Sequence, residues 1–174
     1  MLDPAADTFP KLVRRNAERF PGKIAIREKD LGIWQSYTWR EYFEQSRRIA
    51  TGLASLGFER GDKVAIIGDN RPPLYWATMA CQALGGIPVP IYQDSIEKEM
   101  QYIVDHAEVR FAVVEDQEQV DKLLQVKARG SRLDYLIYHD PRGMRGGQAA
   151  HQQHWTFARA TGIAHSPDRF RRDS

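Results

Sequence analysis

"GDKVAIIGDNRPPLYWATMACQALGGIPVPIYQDS", residues 61–95, places one long apolar run between two short ones. Residues 64–67 are typical of a buried strand, and the run that begins at Pro72 and closes at Gly85 and Gly86 is typical of an apolar helix capped by Asn70. The run "IPVPIY" predicts a second extended segment. Strand, helix and strand in this order favour a right-handed crossover between parallel strands. The stretch therefore predicts an α/β fold.

The glycine pair Gly85 and Gly86 allows two interpretations, a phosphate-binding loop or the end of a helix. A phosphate loop is expected as G-x-G-x-x-G or G-x-x-x-x-G-K-[ST] after a strand, and the sequence contains neither pattern. The pair follows a helix instead, where exposed carbonyls disfavour phosphate and glycine is a common cap. The helix-end interpretation is the favoured one.

The same alternation continues on both sides of this stretch. Upstream, the sequence predicts a helix over residues 8–20, a hairpin whose polar turn contains Lys29, Asp30 and Gly32, and a helix capped by Thr38 with Glu41 and ended by Gly57. Downstream, a helix capped by Ser95 is followed by strand, helix and strand up to His139. The predicted fold class is α/β, with a partial, mostly parallel sheet and flanking helices, preceded by a helix and a β-hairpin.

Composition excludes several function classes. The chain has 174 residues, of which 42% are hydrophobic, and a formal net charge of +2, so no overall basic field indicates nucleic acid as a partner. Cys81 is the single cysteine, which excludes an internal disulfide and favours a reducing, cytoplasmic location. No stretch has the length of a signal peptide core or a transmembrane helix, so membrane contact is expected to be peripheral at most.

Two regions are predicted, an α/β subdomain over residues 8–143 and an irregular basic tail over residues 144–174. The segment after His139 shows no sustained period and contains no lysine, which favours a loosely structured segment. His151 and His154 are spaced as metal ligands but lack acidic or cysteine partners, so solvated side chains are the preferred interpretation. Asp140 and Arg142 are interpreted as turn residues rather than a catalytic pair. Cys81 is interpreted as a packed core thiol.

Five motifs taken in order resemble the N-terminal part of the acyl-adenylate-forming (AMP-binding) enzymes, and among them the long-chain fatty acid CoA ligases. These are "YTWREY", "GDKVAIIGDN", "ALGGIPVPIYQDS", "DHAEVRFAVVEDQEQVDKLL" and "LIYHDPRGMR". The resemblance extends from about Thr8 to Gly143 and fades just after Met144. It implies the N-terminal part of the ligase fold and a reaction in which an acid is joined to ATP with magnesium and then passed to CoA.

The resemblance also implies where the chemistry lies. The family's phosphate loop, magnesium acid, ribose aspartate and catalytic lysine all belong to segments downstream of the matched part, so no catalytic residue and no metal ligand are assigned here. Tyr92, Gln93 and Asp94 match by position the loop that lies near the CoA nucleotide in related synthetases. They are the candidate cofactor-binding residues, and most of that site belongs to segments that the sequence lacks.

Three functional hypotheses follow. The first is a descendant of a long-chain fatty acid CoA ligase that is inactive by itself and binds no cofactor, and the fading after Met144 suggests a shifted reading frame. The second is a non-catalytic module that binds a partner, such as a separately encoded C-terminal ligase part or a chaperone, through uncovered sheet edges. A free-standing nucleotide-binding domain is the weakest, because the glycine fingerprints are missing. Uncovered edges also predict poor solubility.

Overall fold

The computed structural model describes residues 7–139 and 156–159. The described elements are, in chain order, α1 (Phe9–Arg19), β1 (Ile24–Asp30), β2 (Ile33–Thr38), α2 (Trp39–Ser55), β3 (Lys63–Ile67), α3 (Pro72–Ala83), β4 (Ile87–Ile91), α4 (Glu97–His106), β5 (Phe111–Val114), α5 (Gln117–Ala128), β6 (Tyr135–Tyr138) and β7 (Thr156–Arg159). The predicted α/β class is confirmed, with a parallel four-stranded sheet, flanking helices and an antiparallel hairpin. The chain divides into two compact units, Met1–Asp62 with Asn70–Pro88 and Lys63–Asp69 with Val89–Ser174.

The first unit contains the hairpin β1–β2 and helices α1, α2 and α3. Thr38 begins α2 as predicted: its hydroxyl accepts a hydrogen bond from the Glu41 backbone at 3.3 Å, and the Glu41 carboxylate accepts from the Thr38 backbone at 2.7 Å. Ile49 and Leu53 of α2 are fully buried, and so is Trp76 of α3. Because α3 is apolar on every side, it is stabilised by burial rather than by an amphipathic pattern.

The second unit contains a sheet with the strand order β4-β3-β5-β6-β7. β3 pairs in parallel with β5, and β5 with β6, while β7 runs antiparallel to β6. The central strand β5 is buried along its whole length. Continuous apolar runs are expected of parallel strands that are covered on both faces. The core is completed by residues of α4 and α5 such as Met100 and Leu123.

The hairpin turn differs from the sequence prediction. Lys29 and Asp30 were predicted in the turn, but they pair with Trp34 and Ile33 and belong to strand β1. The turn contains only Leu31 and Gly32, both with positive φ. A two-residue turn of this kind matches the twist of the flanking strands, which explains why pairing continues through polar residues.

Two predicted helix caps are displaced by one residue. Arg71, not Asn70, is the N-cap of α3, because Pro72 begins the helix and a residue before proline is held in an extended conformation. Ile96, not Ser95, is the N-cap of α4, where the Glu99 carboxylate accepts a hydrogen bond from the Ile96 backbone at 3.4 Å. Both corrections are local and leave the element order unchanged.

The sequence prediction did not include strand β7 in the region 144–174. Thr156 pairs with Tyr138 and Arg159 with Tyr135. The predicted roles of Asp140, Arg142, His151 and His154 fall on residues outside the described part of the chain, and so does the rest of the predicted tail. The boundary at residue 143 stays a prediction.

Candidate functional site

The candidate site is the carboxyl end of the parallel sheet in the second unit. The chain passes from β3 to β4 on one side and returns to β5 on the other side of β3. This reversal places the topological switch point between β3 and β5. In open α/β sheets, ligands bind outside the carboxyl ends of the strands at such a point. The residues that follow Ile67, Ile91 and Val114 are therefore the first place to look for a ligand.

A chain of hydrogen bonds connects the three loops at this edge. The Glu115 carboxylate accepts from the Asp69 backbone N–H at 2.6 Å. The Asp69 carboxylate accepts from Gln93 Nε2 at 2.7 Å, and Lys122 Nζ donates to the Gln93 carbonyl at 2.7 Å. Lys122 also contacts the Glu118 carboxylate at 2.8 Å. The loops after β3, β4 and β5 are thereby fixed to one another by the protein's own polar groups.

The sequence-predicted residues Tyr92, Gln93 and Asp94 lie in the loop after β4. Tyr92 is 87% exposed, Gln93 is half-buried and Asp94 is exposed. The Ser95 backbone N–H closes a turn on the Tyr92 carbonyl at 3.1 Å. Gln93 is committed to the hydrogen-bond chain, whereas the ring of Tyr92 presents its faces to solvent. Contact of these residues with CoA stays a prediction.

The charge of the edge does not suit the phosphates of CoA or ATP. Four carboxylates lie in the loops of the second unit that follow β3, β4 and β5, namely Asp69, Asp94, Glu115 and Asp116. Phosphate binding needs cations or free N–H groups, and the ammonium of Lys122 is already bonded to Gln93 and Glu118. The described residues here can offer a ring for stacking but no phosphate cradle.

The three helices that follow β3, β4 and β5 carry prolines or acidic residues at their N-termini. α3 begins with Pro72 and Pro73, which have no N–H to donate. The Glu99 carboxylate takes the first backbone donor of α4, and the Asp116 carboxylate caps α5 by accepting from the Gln119 backbone at 3.2 Å. A helix N-terminus attracts phosphate through its free N–H groups and its dipole. The prolines remove donors from α3, and the carboxylates at the starts of α4 and α5 repel a second anion.

Magnesium finds no complete ligand set in the described residues. Within residues 7–139 and 156–159, no group of three or more His, Cys, Asp or Glu side chains is placed to hold a metal ion. A divalent magnesium ion takes carboxylate oxygens together with substrate phosphates. The carboxylates of this edge do not form such a group, so they are not assigned as magnesium ligands.

The glycine pair of residues 85 and 86 ends a helix, as the sequence favoured. The Gly86 N–H donates to the Cys81 carbonyl at 2.9 Å and the Gly85 N–H to the Gln82 carbonyl at 3.0 Å. This is the Schellman pattern of a helix C-terminus. Gly86 also has no room for a side chain, because a Cβ there would lie 2.3 Å from Phe58 Cζ.

Cys81 and Tyr42 are buried, and both side chains stay protonated at neutral pH. Burial raises the pKa of the Cys81 thiol to about 12, and the nearby Asp62 carboxylate adds to the effect. Burial also raises the pKa of Tyr42 to about 12, with Tyr75 contributing. A thiol that stays protonated at neutral pH is a poor nucleophile. The interpretation of Cys81 as a core thiol is confirmed.

A family model described as AMP-binding enzyme matches residues 13–168. The chain belongs to the AMP-binding enzyme family. The match continues past Met144, where the sequence analysis placed the end of the resemblance. The boundary at residue 143 and the shifted reading frame stay predictions.

Relatives agree with this assignment. The long-chain-fatty-acid–CoA ligase ACSBG2 of Mus musculus is 31% identical over 119 residues, covering 68% of this chain and 18% of the ligase. An uncharacterized protein of Mycobacterium tuberculosis is 32% identical over 133 residues, covering 76% of this chain and 73% of that protein. The resemblance to long-chain fatty acid CoA ligases is thus confirmed. The chain spans only about a fifth of the length of the ligases that it matches.

A solved structure shows the same fold. The anthranilate CoA ligase AuaEII in complex with anthranoyl-AMP superposes with a TM-score of 0.68 at 19% identity, covering 74% of this chain and 24% of that chain. Among the helices that the structure describes, none is long and apolar enough to cross a bilayer.

The hydrogen-bond chain at the switch point was missed by the sequence analysis. The sequence analysis assigned no functional role to Asp69 or Glu115, and the next residue after Glu115, Asp116, caps α5. The signal that could have found Asp69 and Glu115 is their position, since Glu115 directly follows β5, Asp69 comes two residues after the end of β3, and the two strands are neighbours. Lys122 gives no such signal, because its partner lies 29 residues away in sequence.

Proposed function

We propose that residues 7–139 form the N-terminal framework of an acyl-CoA ligase of the long-chain fatty acid type, and that these 174 residues carry out no adenylation by themselves. The observation that carries this proposal is the closed carboxyl edge of the sheet. Acids fill its switch point, and the helices after β3, β4 and β5 begin with prolines or acidic caps. A framework of this kind supports a ligase reaction whose phosphate and metal chemistry is supplied by other segments.

ATP, magnesium and CoA belong to this proposal as reactants and cofactor of the whole ligase. In the framework, Tyr92 is the residue best suited to meet a nucleotide, because its exposed ring can stack on a base. Gln93 acts by fixing the loop through Asp69 and Lys122. The phosphates of CoA would need cations from outside the described residues. A cytosolic location completes the proposal, supported by the buried free thiol of Cys81.

The test is fatty-acid-dependent exchange of labelled pyrophosphate into ATP. The purified chain, given a saturated long-chain fatty acid, ATP, magnesium and CoA, is expected to show no exchange and no acyl-CoA above a protein-free blank. An intact long-chain ligase assayed in parallel is the positive control. Exchange that depends on the fatty acid and persists in the Tyr92→Ala variant would show that other residues of this chain carry adenylation and would overturn the proposal.

Calorimetric titration separates the framework from a nucleotide-binding domain. ATP, AMP and NAD are each expected to give no saturable heat at micromolar concentration, because prolines and acidic residues at the helix N-termini disfavour phosphate. Saturable micromolar binding of any of the three would favour the nucleotide-binding hypothesis instead.

A second candidate function is a module that binds a separately encoded ligase part. The structure narrows where such a part could add a strand. The Ile87 N–H donates to the Asp62 carbonyl at 2.9 Å. Because the backbone groups of successive strand residues point in alternate directions, those of Pro88 and Pro90 point to the outer edge of β4. An edge with two prolines lacks donors and resists strand addition. Co-purification with a separately encoded C-terminal ligase part would support this candidate, and its absence would weaken it.

A further inference from the structure

The tip of the hairpin has a sequence that its own backbone disfavours. Leu31 and Gly32 form the turn with φ of 46° and 84°. Turns with two positive φ values strongly prefer Asn-Gly or Asp-Gly, because a leucine side chain crowds the backbone in the left-handed region. Leu31 is nevertheless 87% exposed, so the fold gains no burial in return. An apolar side chain that is both strained and exposed indicates a role at the surface.

Other apolar side chains lie next to this leucine. Ile33 and Trp34, the first two residues of β2, are 64% and 65% exposed. Together with Leu31 they place three exposed apolar side chains at the end of the hairpin, and we call these three residues the hairpin tip. A tryptophan at such a position has an amphipathic ring that is suited to the boundary between water and an apolar phase.

Beside the hairpin tip, the basic side chains of β1 lie on one face of the hairpin and the acidic side chains lie on the other. Lys29 pairs directly across from Trp34, and Arg27 follows on the same face opposite Ser36. All four side chains are exposed, and in the described part of the chain the structure gives neither Lys29 nor Arg27 an ion pair. The solvent face therefore combines an indole with two cations.

The acids of β1 lie on the opposite face and have partners. The Glu28 carboxylate accepts a hydrogen bond from the Tyr37 hydroxyl at 3.0 Å, and Asp30 lies 3.7 Å from the Arg71 guanidinium. Neither acid lies on the face of Lys29 and Arg27, so neither neutralises these two cations. Charge complementarity thus indicates an anionic occupant.

The size and shape of the hairpin tip favour a lipid surface over a protein. Even if each of the three side chains covered the 150–250 Å² of a large aromatic residue, they would offer roughly 450–750 Å² together. A stable protein interface needs about 800 Å² from each partner with matching shape. A bilayer surface has no such shape requirement, so the apolar side chains of the hairpin tip can enter it without a matching pocket.

We propose that the hairpin tip contacts anionic lipid bilayers, with Leu31, Ile33 and Trp34 entering the headgroup region and Lys29 and Arg27 meeting lipid phosphates. Apolar area supplies part of the affinity, and each cation near the surface adds to it. The contact goes beyond the proposed ligase framework and does not depend on it, because it needs neither ATP nor acyl transfer.

The test is flotation of the purified chain with vesicles, in which bound protein rises and aggregated protein sinks. Vesicles of phosphatidylcholine with phosphatidylglycerol are expected to float the chain at low salt, and pure phosphatidylcholine vesicles to float much less. Leu31→Asn should lower the partition coefficient about tenfold, because it removes an apolar side chain while suiting the turn. Lys29→Gln should lower it about fivefold, and the loss should shrink at high salt.

Matched controls separate the hairpin tip from general stickiness. Tyr102→Ser removes an exposed ring from α4, and Lys98→Gln removes an exposed cation from the same helix. Both should float like the unchanged chain. Equal flotation of Leu31→Asn and the unchanged chain would overturn the proposal, and so would failure of the unchanged chain to float with anionic vesicles. A chain that dimerises through Leu31 and then fails to float would assign the hairpin tip to a second copy instead.

Discussion

Two of the turns with positive φ in the first unit differ in what surrounds them. At the end of α3, Gly85 and Gly86 are enclosed: a Cβ on Gly86 would lie 2.3 Å from Phe58 Cζ and 2.9 Å from the Asp62 carbonyl oxygen. At the hairpin, Gly32 has no atom within 4 Å of such a Cβ, and Leu31 is exposed. One turn is fixed by packing and the other only by its backbone.

This difference teaches how to separate residues required by the fold from residues available for function. Where packing leaves no room for a side chain, the choice of glycine needs no further explanation. Where a side chain is unfavourable for the turn and touches nothing, the fold does not explain it. The following substitutions test the contrast, and the largest effect belongs to the enclosed turn.

Gly86→Ala is expected to lower the free energy of unfolding by about 2–3 kcal/mol, because the added methyl group must displace the Phe58 ring and a backbone carbonyl. Urea titration followed by circular dichroism measures the change. Gly22→Ala is the matched control, since nothing lies within 4 Å of a Cβ there, and it should change stability by less than about 0.5 kcal/mol.

A double variant sharpens the same test. Phe58→Leu removes the two ring atoms nearest to the added methyl group, so Gly86→Ala should cost less in that background than alone. The Asp62 carbonyl still limits the rescue. Additive losses from the two substitutions would show that the turn is not held by this contact.

The same contrast explains how much of the molecule could be predicted. The buried strand at residues 64–67, the capping box of Thr38 and the glycine stop at Gly85 follow from local rules, because each depends on residues within a few positions. The hairpin turn was misplaced because pairing across the strands outweighed the polar composition of Lys29 and Asp30. The short-range pattern had no means of detecting that pairing.

The candidate site was predictable only in part. The loop at Tyr92 could be selected by its likeness to a family motif. The links from Asp69 to Gln93 and from Gln93 to Lys122 join residues that are 24 and 29 positions apart. Such contacts exist only once the strand order is known. Likewise, strand β7 pairs with β6 through a four-residue segment that shows no period of its own.

Gly32→Ala is expected to lower the free energy of unfolding by about 1 kcal/mol, which is less than Gly86→Ala. Here only the backbone term acts, because a methyl group would meet nothing. Thermal unfolding of both variants in the same buffer compares them directly. A loss at Gly32 equal to the loss at Gly86 would break the contrast between the open and the enclosed turn.

Glu41→Gln is expected to cost about 0.5–1 kcal/mol at pH 7 at the point where the hairpin joins α2. Hydrogen bonds from the Thr38 backbone and then from its hydroxyl hold the pKa of Glu41 below its usual range. Since the folded-state pKa is the lower one, this stabilisation is present above the unfolded-state pKa near 4.5 and is lost as pH falls through the folded-state pKa. Urea midpoints of the two proteins should therefore approach each other as pH falls below 4.5 and through the folded-state pKa. A constant difference from pH 7 to pH 3 would contradict a role for the Glu41 charge.

Leu31→Asn is expected to raise the free energy of unfolding by about 0.5 kcal/mol, the smallest change of the series and the only gain. Asparagine adopts the left-handed conformation more readily than leucine, and no packing is lost because Leu31 is exposed. Urea denaturation of the two chains measures the gain, with Tyr102→Ser as an exposed-residue control. If Leu31→Asn raises stability and also reduces vesicle flotation, Leu31 destabilises the folded chain and contributes to membrane contact. A loss of stability would instead show that the leucine packs in the folded chain, and the open turn would then resemble the enclosed one.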